Sequence, residues 1–172
     1  YHESQIEGIP PDNFFKKDAL INNQVVEEII FNSSARIFES GNEAYYSPRN
    51  DLIRMPFRNA FADSESYYST LLHELAHWTG HETRLNRFFS WSSSSKDYAR
   101  EELVAEIASM FLSAETEVKQ TEKHFANHAS YVASWISLLE SDTNAIFTAS
   151  NEAKKAADFI MSFRDEEFYS QC

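Results

Sequence analysis

Two histidines four residues apart, in the segment His73-Glu74-Leu75-Ala76-His77, constrain this chain more than any other feature. An α-helix turns about 100° per residue, so residues four apart lie on the same face. From residue 64 to residue 79, apolar side chains recur on another face: Tyr68, Leu71, Leu72, Leu75 and Trp78. We therefore predict a helix over 64–79 that buries this apolar face. Gly80 is predicted to end it in the left-handed conformation.

The residue between the histidines that matters most for chemistry is Glu74. It lies about 100° round the helix from His73, near a metal's open coordination position but poorly placed to ligate the metal. Neutral imidazole is a good zinc ligand, and zinc held by three protein groups lowers the pKa of its bound water to about 7. We interpret His73 and His77 as zinc ligands and Glu74 as the general base of amide hydrolysis. In the alternative interpretation, the histidines are surface residues and Glu74 is a solvated charge.

A third ligand must come from elsewhere in the chain. A third histidine in the pattern that continues through Gly80 would be residue 83, which is Thr83. The next predicted helix offers glutamates, as in zinc sites of two histidines and one glutamate. Glu102 and Glu106 point away from its apolar arc, whereas Glu101 lies nearer that arc and suits the helix dipole. We predict Glu102 as the ligand and Glu106 as the acceptor that orients a ligating histidine, although Glu106 remains an alternative ligand.

The remaining pattern predicts an α+β architecture dominated by helices, with a small antiparallel or mixed sheet. Short apolar runs alternate with turn formers between residues 36 and 56, and we expect residues 52–55 to be an edge strand. Further helices are predicted over 22–34, from 95 or 97 to 113, over 125–140 and over 145–163, with Phe111 and Phe147 on core sides. Because no repeat or linker interrupts it, we expect one domain over residues 1–172.

The charge of the chain restricts its partners. Its 27 acidic and 15 basic residues give a net charge of −12, so the surface repels phosphate backbones at neutral pH. We expect no direct binding of nucleic acid. The single cysteine excludes an intrachain disulfide, and no segment has the roughly 18 apolar residues of a membrane span or the pattern of a signal peptide. The expected location is cytoplasmic, without membrane contact.

The segment 67–81 around the histidines, the pair Arg84-Leu85 and the stretch 98–106 together resemble ArdC-type antirestriction proteins. The resemblance implies the C-terminal, zincin-like metallopeptidase domain of that family, with Zn²⁺ as its cofactor and with the same three ligands and the same base. It also implies that these proteins are borne by plasmids or phages and protect incoming DNA in a new host. We expect the family's N-terminal domain, which binds single-stranded DNA, to be absent from this chain.

The sequence leaves two functional questions open. Cleavage of a protein or peptide substrate is the favoured function. The alternatives are a zinc-stabilised module that blocks a partner without cleaving it and a purely structural domain. The second question is which group stabilises the oxyanion. His124, His128 and Tyr131 lie at i, i+4 and i+7 of a predicted helix, so one of them could reach the cleft. Packing is the favoured role of that helix, because it also carries a core stripe.

Overall fold

Helices make up most of the structure. The computed structural model describes residues 22–87, 96–119 and 122–164, with the backbone alone over 122–130. The elements are α1 (Gln24–Ser33), β1 (Ile37–Glu39), β2 (Tyr45–Ser47), β3 (Leu52–Met55), a 3₁₀ turn (Arg58–Ala60), α2 (Ser64–Thr79), α3 (Lys96–Thr116), α4 (Glu122–Ser141) and α5 (Ala145–Met161). No helix within these ranges is long and apolar enough to cross a membrane. Each predicted helix is present, and the extent of the domain over 1–172 stays a prediction.

Polar side chains fix where the first two helices begin. The side chain of Asn23 accepts a hydrogen bond from the backbone N–H of Val26 at 3.1 Å. The side chain of Asp63 accepts one from the backbone N–H of Ser66 at 2.7 Å. Each such cap stabilises a helix by about 1 kcal/mol, because it satisfies an amide that has no partner in the first turn. The start of α2 is therefore set well before its histidines.

The three strands form a mixed sheet in the order β1-β3-β2. Strand β3 pairs in parallel with β1 and antiparallel with β2, so that Ile53 has Ile37 on one side and Tyr46 on the other. The prediction that residues 52–55 form an edge strand is therefore wrong. After β1, the chain crosses to the opposite edge of the sheet and forms β2. The β2–β3 hairpin then places β3 in the middle, between β1 and β2. Among the described residues, no strand pairs with the outer edge of β2.

One face of the sheet packs on helix α2. Tyr46, Ile53 and Met55 are buried in the same core cluster as Leu71 and Leu75 of the helix. Fully burying an aliphatic side chain contributes about 1.5–3 kcal/mol, so this contact fixes the sheet on the helix. The apolar face of α2 is used in this way, and its histidine face turns toward α3.

Small residues bring α3 and α5 close together. Four of the five buried alanines of α5 share a core cluster with residues of α3: Ala145, Ala149, Ala153 and Ala156. Their spacing of three or four residues puts them on one side of the helix, where single methyl groups let the backbone of α3 approach closely. The predicted core positions of Phe111 and Phe147 are wrong for this reason. A phenyl ring is too large for this helix contact, and the two side chains are 38% and 68% exposed.

Gly80 is the residue at which helix α2 ends. Its φ of −74° is an ordinary right-handed value, so the predicted left-handed conformation is wrong. A Cβ at this position would lie 3.1 Å from Nη2 of Arg87 and 3.1 Å from the carbonyl oxygen of His77. A side chain at position 80 would therefore require Arg87, which folds back across the end of the helix, to shift by a few tenths of an ångström.

Arg84 ties the β2–β3 hairpin to the same end of α2. Its Nη1 donates to Oδ2 of Asp51 at 3.0 Å, and its Nη2 donates to the hydroxyl of Tyr46 at 3.2 Å. Its Nε donates to the carbonyl oxygen of Trp78 at 2.6 Å. One guanidinium therefore joins the hairpin turn, the edge strand β2 and the helix that carries the histidines.

Candidate metal centre

Helices α2 and α3 bring three metal-binding side chains together. The Nε2 atoms of His73 and His77 lie 3.2 Å apart. Glu102 faces both of them: its Oε2 lies 3.6 Å from Nε2 of His73, and its Oε1 lies 3.6 Å from Nε2 of His77. One ligand atom from each of the three residues lies within 4.8 Å of the others. The spacing of four residues puts both imidazoles on one helix face, and α3 supplies the carboxylate from the opposing helix.

The other ring nitrogen of each histidine faces a second glutamate. Nδ1 of His73 lies 3.4 Å from Oε2 of Glu106, and Nδ1 of His77 lies 3.3 Å from Oε1 of Glu101. An imidazole whose Nδ1–H donates a hydrogen bond to a carboxylate leaves the lone pair of Nε2 available to a metal. The structure therefore places Glu106 beside His73 and places Glu101 in the equivalent position beside His77. The assignment of Glu101 to the helix dipole does not describe this contact.

Arg87 holds Glu101 in position. Its Nε donates to Oε2 of Glu101 at 3.0 Å and its Nη2 donates to Oε1 at 2.7 Å. The same guanidinium donates to Oγ1 of Thr79 and to the carbonyl oxygen of Ala76, each at 2.7 Å. The side chains of Arg87 and Glu101 are only 6% and 5% exposed. A buried, bidentate ion pair therefore joins the loop after α2 to α3 and fixes Glu101 behind His77.

Neither Glu101 nor Arg87 was predicted as part of the site. Adjacent residues on a helix point about 100° apart, so Glu101 and Glu102 reach different parts of the same surface. The available signal was that a carboxylate near the apolar arc of a helix requires a cationic partner if it is buried. No local pattern marks Arg87 as that partner, because the contact forms only when the loop folds back over α2.

Carboxylates dominate the electrostatics of the site. Burial acts to lower the pKa of both imidazoles, but hydrogen bonds to the glutamates outweigh it and raise the pKa of His73 to about 9 and that of His77 to about 10. Burial acts to raise the pKa of Glu101 and Glu102, but their bonds to the histidines hold it below its usual range. The cluster therefore attracts positive charge. Two imidazoles and a carboxylate are also a ligand set that suits zinc and similar divalent ions.

Glu74 lines the same cleft as the three metal-binding residues and is 6% exposed. Burial raises its pKa, although the two histidines and the backbone N–H of Tyr46 act in the opposite direction. Its Oε2 is buried and has no hydrogen-bond partner among the residues that the structure describes. Leaving a buried polar atom unsatisfied costs about 1–3 kcal/mol, so this oxygen is suited to receive a bond from a ligand or a water.

The cleft holds about 330 Å³ and is lined in part by the edge strand β2. Residues 44–46 line it, together with Tyr98 of α3 and Tyr131 of α4. The hydroxyl oxygens of the two tyrosines lie 3.3 Å apart. Tyr131, one of the three candidates for oxyanion stabilisation, is therefore in the cleft. The side chains of the other two, His124 and His128, lie outside the described residues.

Comparison with known proteins extends these observations. The zincin-like metallopeptidase family, MPTase-PolyVal, matches residues 24–152. Crystal structures of the antirestriction protein ArdC from plasmid R388 match with a TM-score of 0.72 in both the Mn(II)-bound and the metal-free form. The Mn(II)-bound form is 41% identical and covers 80% of this chain, and the metal-free form is 35% identical and covers 95%. DNA primase TraC of Escherichia coli is 38% identical over 172 residues, or 99% of this chain.

These relatives are longer proteins. The chain spans 51% and 58% of the two ArdC chains and 16% of TraC. The resemblance to ArdC-type proteins is confirmed, and so is an α+β, zincin-like fold with many helices and a small mixed sheet. Since the family match includes both histidines and the glutamates of α3, the chain belongs to the zincin-like metallopeptidase family.

Proposed function

We propose that this chain hydrolyses peptide bonds with a zinc ion held by His73, His77 and Glu102. The observation that carries the proposal is Glu74, a buried carboxylate with an unsatisfied oxygen in the same cleft as the three ligands. When bound, zinc lowers the pKa of a coordinated water to about 7 and polarises a carbonyl group. A site that only stabilised the fold would have no need of a buried base beside the ligands.

Glu74 acts as the proton carrier in this proposal. Its carboxylate accepts a proton from the attacking water and then gives that proton to the nitrogen of the departing amine. Burial raises the pKa of Glu74, and that is the direction that suits a carboxyl group which must also return the proton in the second step. The Tyr131 hydroxyl, which lines the same cleft, is the proposed donor to the oxyanion that develops on the carbonyl group.

An extended peptide fits the free edge of β2. Tyr46 of β2 and Glu74 line the same cleft, so the strand passes beside the proposed base. A peptide that pairs with this edge as a fourth strand gains backbone hydrogen bonds whatever its sequence. Its scissile bond would then lie over the cleft. The substrate we propose is therefore a protein or peptide in extended conformation, bound without direct contact to nucleic acid.

Similarity to ArdC also supports a role for this domain in antirestriction. The chain covers about half of the ArdC chain, 51% in the Mn(II)-bound structure, so this role belongs to a longer protein. In that setting we propose that the domain cleaves a host protein or a protein associated with DNA. Transfer of unmodified DNA into a restricting host, with full-length protein carrying either Glu74 or Gln at this position, tests that role.

The Glu74→Gln variant tests the proposed chemistry. The substitution keeps the size of the side chain and removes its basicity, so zinc content by mass spectrometry should be unchanged. Hydrolysis of fluorescein-labelled casein should fall by about 100- to 10,000-fold, the usual contribution of a general base. Glu82→Gln is the matched control, because Glu82 is exposed and does not line the cleft, and it should retain the parental rate.

Equal rates of casein hydrolysis for the zinc-loaded parent and Glu74→Gln would refute the peptidase proposal. Full protection of incoming DNA by the Gln variant, in the full-length protein, would assign antirestriction to binding of a partner. That outcome would favour the alternative of a zinc-stabilised binding module.

A further inference from the structure

The outer face of the sheet carries an arginine between two aromatic rings. Phe38 of β1 and Tyr45 of β2 are the register partners of Arg54 in β3. The guanidinium carbon of Arg54 lies 5.7 Å from the ring centre of Phe38 and 5.8 Å from that of Tyr45. The two rings are 54% and 43% exposed, so these side chains point away from the core. We call Phe38, Arg54 and Tyr45 the aromatic row.

Arg54 forms no hydrogen bond or ion pair with any described residue, and its Nε is buried without a partner. Three other arginines, Arg58, Arg84 and Arg87, each bind a carboxylate. Among the described residues, Arg54 therefore differs from these three arginines in having no carboxylate partner. Stacking on two rings orients the guanidinium, and no side chain of the described ranges occupies its remaining N–H groups, which suit an anion.

The aromatic row ends at the cleft. Tyr45 lies on the free edge strand and lines the cleft that contains Glu74 and the two histidines. Neighbouring strands lie about 4.8 Å apart, so a peptide paired with β2 would place one of its outward-facing side chains beside Tyr45. The guanidinium of Arg54 leans over that same ring. A carboxylate on the peptide side chain would therefore come within reach of Arg54 across Tyr45.

We propose that the aromatic row is a specificity subsite for an acidic residue, Asp or Glu, of an extended peptide. The proposal rests on the proposed function, since it assumes that a peptide pairs with the edge of β2. The carboxylate binds Arg54, and the carbon chain of the acidic residue packs on the Tyr45 ring. The subsite lies on the outer face of the sheet, so it selects a residue beside the scissile bond without contacting the metal ligands.

A peptide fits the aromatic row better than single-stranded nucleic acid does. Two exposed rings and an arginine are also features of surfaces that stack bases. Such surfaces, however, follow the phosphate backbone with a positively charged groove, whereas this row offers one cation on a protein of net charge −12. One cation is enough for one carboxylate.

The test uses binding, so that it does not depend on hydrolysis. Phage displaying random dodecapeptides are panned on the zinc-loaded Glu74→Gln chain and on the same chain carrying Arg54→Glu. We expect Asp or Glu to be enriched at one position with Arg54, and Lys or Arg at that position with Arg54→Glu. For one selected peptide, Arg54→Gln should raise the Kd about tenfold, the effect of one charge-assisted hydrogen bond. Arg49→Glu, the same charge change on the exposed hairpin turn, should leave the preference acidic.

Several results would overturn the subsite: no binding peptides, no acidic preference, or an acidic preference that Arg54→Glu leaves unchanged. Tighter binding of oligothymidylate than of peptide, lost in Arg54→Gln, would assign the row to nucleic acid instead. The proposed hydrolysis can be refuted independently of the subsite. If selected peptides bind through Arg54 but the zinc-loaded parent cleaves none of them, the subsite stands and the peptidase proposal falls.

Discussion

The ion pair between Arg87 and Glu101 should control how tightly the site holds its metal. Replacing Arg87 with Ala removes the bidentate bond to Glu101 and leaves that carboxylate, 5% exposed, without its cation. Breaking a buried ion pair from one side costs about 3–5 kcal/mol of folding stability. Glu101 would also lose its fixed position behind His77. Loss of a group that orients a ligating histidine typically weakens metal binding by about 10- to 100-fold.

The assay is competition for zinc with a fluorescent chelator, at a temperature where circular dichroism shows each variant to be folded. Arg84→Ala is the matched control, because Arg84 also binds a carboxylate but contacts neither histidine. It should lower the melting temperature and leave the zinc Kd unchanged. In the double variant Arg87→Ala/Glu101→Leu, no buried charge is left unpaired, so stability should recover in part. Zinc affinity should remain low, since nothing then orients His77.

Equal losses of zinc affinity in Arg87→Ala and Arg84→Ala would refute this reasoning, because they would show that general destabilisation weakens the site. Recovery of zinc affinity together with stability in the double variant would refute it as well. In that case Glu101 would contribute to the fold and not to the orientation of the ligand.

Glu102→Gln should abolish zinc retention and Glu106→Gln should only weaken it by about 10- to 100-fold; elemental analysis showing the reverse would make Glu106 the ligand. The pKa of His73 is raised from 6.5 to about 9, so the chelator-treated chain should lose stability as pH rises through that window. A free energy of unfolding in urea that rises over this pH range would contradict the prediction. Gly80→Ala should lower the free energy of unfolding by about 1–3 kcal/mol in the same assay, because the added Cβ crowds Arg87. An unchanged urea midpoint would show that the loop shifts to accommodate the methyl group.

Local patterns predicted the elements and the residues that depend on a single helix. Helix α2 runs over Ser64–Thr79, the predicted range, because its apolar stripe and its capping are properties of neighbouring residues. The helical spacing of His73 and His77 likewise put both imidazoles on one face, and the glutamates of α3 lie opposite. The sequence therefore predicts a site best where a single helix positions its residues.

Features set by distant contacts could not be predicted. The central place of β3 depends on its parallel pairing with β1, and no local pattern reports such a pairing. The role of Glu101 depends on Arg87, which reaches it only after the loop folds over α2. The face of α5 that packs with α3 carries alanines, whereas hydrophobicity alone favoured Phe147, which is exposed.

Arg84 has a consequence for the thermodynamics of substrate binding. By bonding to Asp51, Tyr46 and the last turn of α2 together, it holds β2 in place relative to the histidines before any peptide arrives. Ordering a flexible segment costs about 1–2 kcal/mol per residue, and a strand that is already ordered does not incur that cost on binding. The conformational entropy lost when a peptide pairs with this edge should therefore be mainly that of the peptide, so that restraining the peptide in an extended form should strengthen binding.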